Sequence, residues 1–170
     1  LELSTAQKNM WLLNALDKQN TSYVITLAYE LEGPFSLRAL EHSIQLVSER
    51  HPILKSYYPS VDGLPVKKTN TELEIKLERI DQSSVYFSDK ETIDYVNQLA
   101  NRVFDISKPH LIRFCLIKCS EQKHILIFSM HHIISDGWSL GVLLNDLSEA
   151  YNAYCSNRTP HFRGQLSTYE

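Results

Sequence analysis

The stretch Met130-His131-His132-Ile133-Ile134-Ser135-Asp136-Gly137-Trp138-Ser139 gathers the side chains of this sequence best suited to chemistry. An imidazole titrates near neutrality and can take, give or hold a proton. A nearby carboxylate can orient it, cap a helix or join a metal. As metal ligands, His131, His132 and Asp136 would have to converge. Neighbouring residues on a strand point to opposite faces, so no metal is expected here. As structural residues, both rings would be satisfied core groups and Asp136 a helix cap. As an acyl-transfer site, one imidazole would act as base or hydrogen-bonding group and Asp136 would fix the local geometry, at the strand end where ligands gather. One ring then faces a cleft and the other packs inward; alternation does not say which. Gly137 permits a turn with positive φ or, lacking a side chain, lets a ligand come close to the backbone. Ser139 suits a helix N-cap better than a nucleophile, and Trp138 and Trp11 suit packing.

The elements that must position these groups are legible in the periodicity. Ile125, Leu126, Ile127 and Phe128 form the unbroken apolar run of a strand covered on both faces, over 124–130. A second strand is predicted over 111–118. Cys115 and Cys119 share its parity and read as small core hydrophobes, without metal spacing. Helical spacing predicts a first helix over 4–16 and a second, capped by Ser36, running to about residue 49 with Leu37, Leu40, Ile44 and Val47 buried. Two-residue alternation predicts strands over 23–31, around 54–58 and through Leu73, Ile75 and Leu77, with turns at Gly33-Pro34 and Asp62-Gly63. A helix over 89–102 would bury Ile93, Val96, Leu99 and Val103. A last helix from about 138 would bury Leu140, Leu144, Leu147, Tyr151 and Tyr154. This succession implies an α/β (α+β) two-layer sandwich, a mixed β-sheet with helices packed on it.

The 170 residues carry a net charge of −3, with 43% hydrophobic and 22% charged residues, which is ordinary globular composition. The basic residues are scattered, so no nucleic acid is expected as partner. No apolar run approaches the ~20 residues of a membrane span and no signal core opens the chain, so no membrane role and a cytoplasmic location are expected. Asn20-Thr21-Ser22 and Asn157-Arg158-Thr159 match the glycosylation sequon and are discounted on the same ground. The chain starts without Met and its tail lacks a closing element, so it is expected to be a piece of something longer.

The order His-His-x-x-x-Asp-Gly at the end of an apolar strand resembles the signature of the chloramphenicol-acetyltransferase-like superfamily, which includes the condensation domains of nonribosomal peptide synthetases. Leu3-Ser4-Thr5-Ala6-Gln7-Lys8-Asn9-Met10-Trp11 looks like the first condensation motif, usually SxAQxRxW. Arg50-His51-Pro52-Ile53-Leu54-Lys55-Ser56-Tyr57-Tyr58 looks like the second, usually RHExLRTxF. Phe104-Asp105-Ile106-Ser107-Lys108-Pro109 with Leu111-Ile112-Arg113 is similar to the FDL…PLLR segment. Asn9, Pro52 and Lys55 depart from those patterns. In the family the Arg at the place of Lys55 pairs with the motif's aspartate; Lys keeps that charge but not the bidentate fork, so the resemblance implies that Lys55 or Arg50 holds Asp136.

The resemblance implies that residues 1–155 are the N-terminal lobe of a condensation domain and that 156–170 start a linker toward a C-terminal lobe. It assigns the catalytic role to His132, in a motif with His131, Asp136 and Gly137, supported by Arg50 and Lys55. The implied reaction joins a donor acyl or peptidyl thioester to an acceptor aminoacyl thioester, as in antibiotic biosynthesis. The implied partners are donor and acceptor peptidyl carrier proteins, whose phosphopantetheine arms present the substrates, and the C-terminal lobe; no cofactor is bound directly. Alone, this lobe is expected to be inactive. Ser135 and Gly137-Trp138-Ser139 look like the type that joins two L-configured residues. Two rivals are a CoA-dependent acetyltransferase of the same superfamily working as a trimer, which the first two motifs oppose, and a non-catalytic carrier-protein docking domain.

Overall fold

Ser4 begins the first helix as the sequence suggests. Its hydroxyl accepts the Gln7 N–H at 3.2 Å while Gln7 Oε1 accepts the Ser4 N–H at 3.1 Å, so two helix-start donors are satisfied reciprocally. The computed structural model describes residues 3–84, 89–135 and 139–163. In chain order they form α1 (Thr5–Leu16), β1 (Val24–Glu32), α2 (Leu37–Arg50), a 3-10 turn (Pro52–Lys55), β2 (Ser56–Tyr57), β3 (Ser60–Val61), β4 (Leu64–Pro65), β5 (Lys68–Thr69), β6 (Leu77–Asp81), α3 (Asp89–Ala100), β7 (Ile112–Lys118), β8 (Lys123–His131), a second 3-10 turn (His132–Ile134) and α4 (Ser139–Cys155). Gly33, at φ +92°, turns the chain out of β1, and Ser36 accepts the Ala39 N–H to cap α2. Asp62 and Gly63, at φ 51° and 79°, make the two-residue turn between β3 and β4, the geometry that matches strand twist.

The main sheet has the order β1-β8-β7-β6. β8 runs antiparallel to both neighbours, with Leu27 opposite Phe128 and Ile112 opposite Met130, while β6 joins β7 in parallel from Leu77 opposite Phe114. β8 is therefore an inner strand, and both its faces are covered. Phe128, Met130 and Phe114 pack with Leu40, Ile44 and Val47 of α2 and Leu143, Leu147 and Ala150 of α4 in a large cluster. Ile125, Ile127, Cys115 and Ile117 meet α3 in a smaller one. The sandwich of sheet and helices is as read, with α3 adding a thin cover on the second face.

Four expectations need correction. Pro52–Lys55 is a 3-10 turn and only Ser56–Tyr57 is strand, because Pro at a first helical position has no N–H to lose and a preset φ. Leu73 and Ile75 are buried as alternation implies, but the strand begins at Leu77, where pairing with β7 starts. In α3, which ends at Ala100, Ile93 is 58% exposed, since it lies one turn before Val96, Leu99 and Ala100 and beyond the edge of the small cluster. In α4, Tyr154 is exposed, and the buried stripe is Leu143, Asp146, Leu147, Ala150 and Ala153. The phase shifts because small alanines and an ion-paired carboxylate face α2, and an apolar count favours neither.

Candidate functional site

The two imidazoles diverge at the tip of β8. His131 is the last strand residue and only 1% exposed. Its Nδ1 accepts the Ile133 N–H at 3.1 Å. Burial first, and the neighbouring His132 second, push its pKa down to about 4. The ring is thus neutral near pH 7, and with Nδ1 accepting, its proton sits on Nε2. That atom is buried, with no hydrogen-bond partner among the described residues. Phe104 meets the ring edge-on at 6.5 Å, and the Arg113 guanidinium stacks on Phe104 at 3.8 Å while donating to the carbonyls of Arg102 and Val103. His131 is packed from several sides.

His132 opens the 3-10 turn His132–Ile134 and is half-buried. Its N–H donates to the Tyr23 carbonyl at 2.7 Å, just ahead of β1, and its carbonyl accepts the Ser135 N–H at 3.0 Å. Its Nδ1 is buried, with no hydrogen-bond partner among the described residues. Strand alternation gives way to the turn here, and the outcome is one sealed ring and one half-buried ring. Asp136, Gly137 and Trp138 lie outside the described residues, as does the Ser139 side chain. The backbone of Ser139 is already the first position of α4 rather than its cap.

Arg50 and Lys55 part company. Arg50, the last residue of α2, donates through Nε to Asp146 Oδ2 at 2.9 Å, and the Phe162 ring lies 4.6 Å from its guanidinium carbon. His51 Nε2 meets the same oxygen at 2.8 Å. Asp146, on the buried side of α4, thereby ties that helix to the end of α2. Lys55 points elsewhere, donating to the Thr71 carbonyl at 3.0 Å. The tail packs back on α4: Arg158 grips both carboxylate oxygens of Glu149, and the His161 N–H donates to one of them. Those contacts hold the Glu149 carboxyl well below its usual range, down to about 2.

Three residues whose contacts the sequence did not reveal converge behind His132. Gln7 Nε2 and the Tyr58 hydroxyl both reach the Ile133 carbonyl, and Trp11 Nε1 donates to the Tyr58 carbonyl at 3.2 Å. Burial raises the Tyr58 pKa well above the phenolic range, so it stays protonated. Among the described residues no group of three or more His, Cys, Asp or Glu could hold a metal, and no helix is long and apolar enough to cross a membrane.

A family described as the Condensation domain matches residues 1–169. Bacitracin synthase 3 of Bacillus licheniformis is 33% identical over 151 residues, covering 88% of this chain and 2% of that protein. Gramicidin S synthase 2 of Brevibacillus brevis is 32% identical over 167 residues, 98% of this chain and 4% of the relative. Among solved structures, the first condensation domain of the calcium-dependent antibiotic synthetase in complex with a substrate analogue superposes with a TM-score of 0.82 at 22% identity. That match covers 98% of this chain and 40% of the other. The chain therefore spans a small fraction of its curated relatives and about two fifths of that structure.

Proposed function

The chain belongs to the condensation-domain family, with the chloramphenicol-acetyltransferase-like fold, and on that premise we propose that it is the histidine-bearing N-terminal lobe of a domain that makes peptide bonds in nonribosomal synthesis. The observation that carries the reading is the inequality of the two rings. His131 is sealed at 1% exposure and neutral, with Nδ1 occupied by the Ile133 N–H, whereas His132 is only half-buried, in the turn that follows an inner strand.

In the proposed reaction the acceptor α-amine attacks the donor thioester carbonyl. The C–N bond forms, the C–S bond breaks, and the donor phosphopantetheine leaves as its thiol. An α-amino group titrates at about 8, so a sizeable fraction is already neutral and nucleophilic near neutral pH. His132 needs only to orient the amine, accept its proton as the amide forms, or donate to the tetrahedral oxygen. Asp136 and Gly137 would shape the loop that follows, with Arg50, backed by Asp146, supporting it from the end of α2. The substrates would arrive on donor and acceptor carrier proteins in the cytoplasm. A C-terminal lobe would close the cleft, and without it this lobe would be inactive.

The test is His132→Ala in the full-length synthetase supplied with loaded donor and acceptor carriers. Condensation should fall by a factor of at least about 10², the lower range for a lost acid-base group, with thermal stability nearly unchanged. Product formation at the wild-type rate would remove His132 from the reaction.

A further inference from the structure

The carbonyl of Ile133 lies one residue past His132, inside the turn that carries the imidazole. Gln7 Nε2 donates to it at 3.2 Å and the Tyr58 hydroxyl at 3.3 Å, and Gln7 Nε2 also donates to the Tyr58 oxygen at 3.1 Å. These contacts use both amide protons of Gln7, while its Oε1 is occupied by the Ser4 N–H. The network fixes the orientation of the amide, because the flipped form would set Oε1 against the Ile133 oxygen. The other side of the same residue is fixed too, its N–H bonded to His131 Nδ1. A 3-10 turn of this length has poor internal hydrogen-bond geometry and is not rigid alone. Here its backbone is held from outside, by Tyr23 ahead of β1, by His131 at the end of β8, and by Gln7 on α1 together with Tyr58.

We propose that Gln7 is a positioning residue for His132: its amide holds the Ile133 carbonyl, and with it the turn that aims the imidazole at substrate. The inference rests on the reading of His132 given above and assigns Gln7 no contact with the reacting atoms. It gives the first turn of α1 a second task. Gln7 closes the helix start through Oε1 and, through Nε2, reaches across 126 positions of sequence to the turn.

Gln7→Glu separates the two tasks. Glu serves as well as Gln in the reciprocal cap, so the Ser4 N–H keeps its acceptor. Both donors to Tyr58 and Ile133 vanish. In the full-length synthetase with loaded carriers, kcat should fall about tenfold to a hundredfold, the scale of a misaimed catalytic group, with KM for the acceptor carrier within about twofold. Ser4→Ala breaks the cap and leaves both Gln7 donors in place, so it should lower thermal stability and leave kcat unchanged. A folded Gln7→Glu protein with wild-type kcat overturns the inference, as does a Ser4→Ala protein that loses kcat to the same extent. Should Gln7→Glu not fold, Gln7→Met, which carries neither donor nor added charge, is read in its place by the same criteria. His132→Ala in the same assay tells the two ideas apart. If it is inactive beside fully active Gln7 variants, only the role of Gln7 falls; if it is fully active, both fall.

Discussion

Phe128 and Ile127 are neighbours on β8 and almost equally hidden, at 1% and 2% exposure, yet they sit in cores of unequal size. Phe128 faces α2 and α4, in a cluster with Ile44, Val47, Phe114, Leu143 and Leu147. Ile127 faces α3, where its buried companions are Ala100, Cys115, Ile117 and Ile125. Equal burial therefore does not mean equal weight. The α2/α4 face holds the sheet together, and the α3 face is a thin cover. His131 shares the parity of Ile127, but its ring meets Phe104 of the large cluster, so the sealed imidazole sits where the thick side wraps the end of β8.

The difference is testable first where it is largest. Phe128→Ala should destabilise the fold by about 3–5 kcal/mol in chemical denaturation, since the large cluster cannot collapse around the void. A loss no greater than that from a one-methylene truncation at Ile127 would break the asymmetry.

The next effect is electrostatic and belongs to the sealed imidazole at the end of β8. His131 has a folded pKa of about 4 against an ordinary 6.5, chiefly through desolvation. The folded state therefore binds this proton less readily than the unfolded chain does. The stability carried by the neutral ring is complete above about pH 6.5, falls as pH drops toward 4, and levels off below that, for a total of about 3 kcal/mol. Denaturation midpoints measured from pH 7 to 4 should show this decline, and His131→Asn should flatten it. An unchanged slope in the variant would mean that the ring is open to water.

Much of this was legible from local pattern. The Ser36 cap, the alternating residues of β1 and the apolar run of β8 all follow from neighbours a few residues apart. What escaped was non-local or polar. Asp146 interrupts an apolar stripe of α4 and reads as a surface residue until Arg50 and His51 arrive from 96 and 95 positions away. The one local signal was a single carboxylate in phase with Leu143 and Ala150. Gln7 is likewise complete as a helix-start residue, and nothing within α1 hints at its bond to Ile133. Asp136 and Gly137 were read from sequence alone and lie outside the described residues.

The smallest effect is the most discriminating. Ile127→Val removes one methylene from the small cluster and should cost about 1 kcal/mol overall. A thin cover opens before the sheet does, because α3 is held by Tyr95, Val96, Leu99 and Ala100, and by the Thr26 hydroxyl donating to the Ala100 carbonyl at 3.2 Å. The α3 amides should then exchange through that local opening, and Ile127→Val should speed them about fivefold, the factor that ~1 kcal/mol represents. Phe128→Ala leaves the α3 contacts in place, so it should accelerate the β7 and β8 amides while changing α3 exchange little, as long as local opening remains the easier route. Equal acceleration of α3 by both variants would show instead that the two faces unfold as one unit and that the thin side borrows its stability from the thick one.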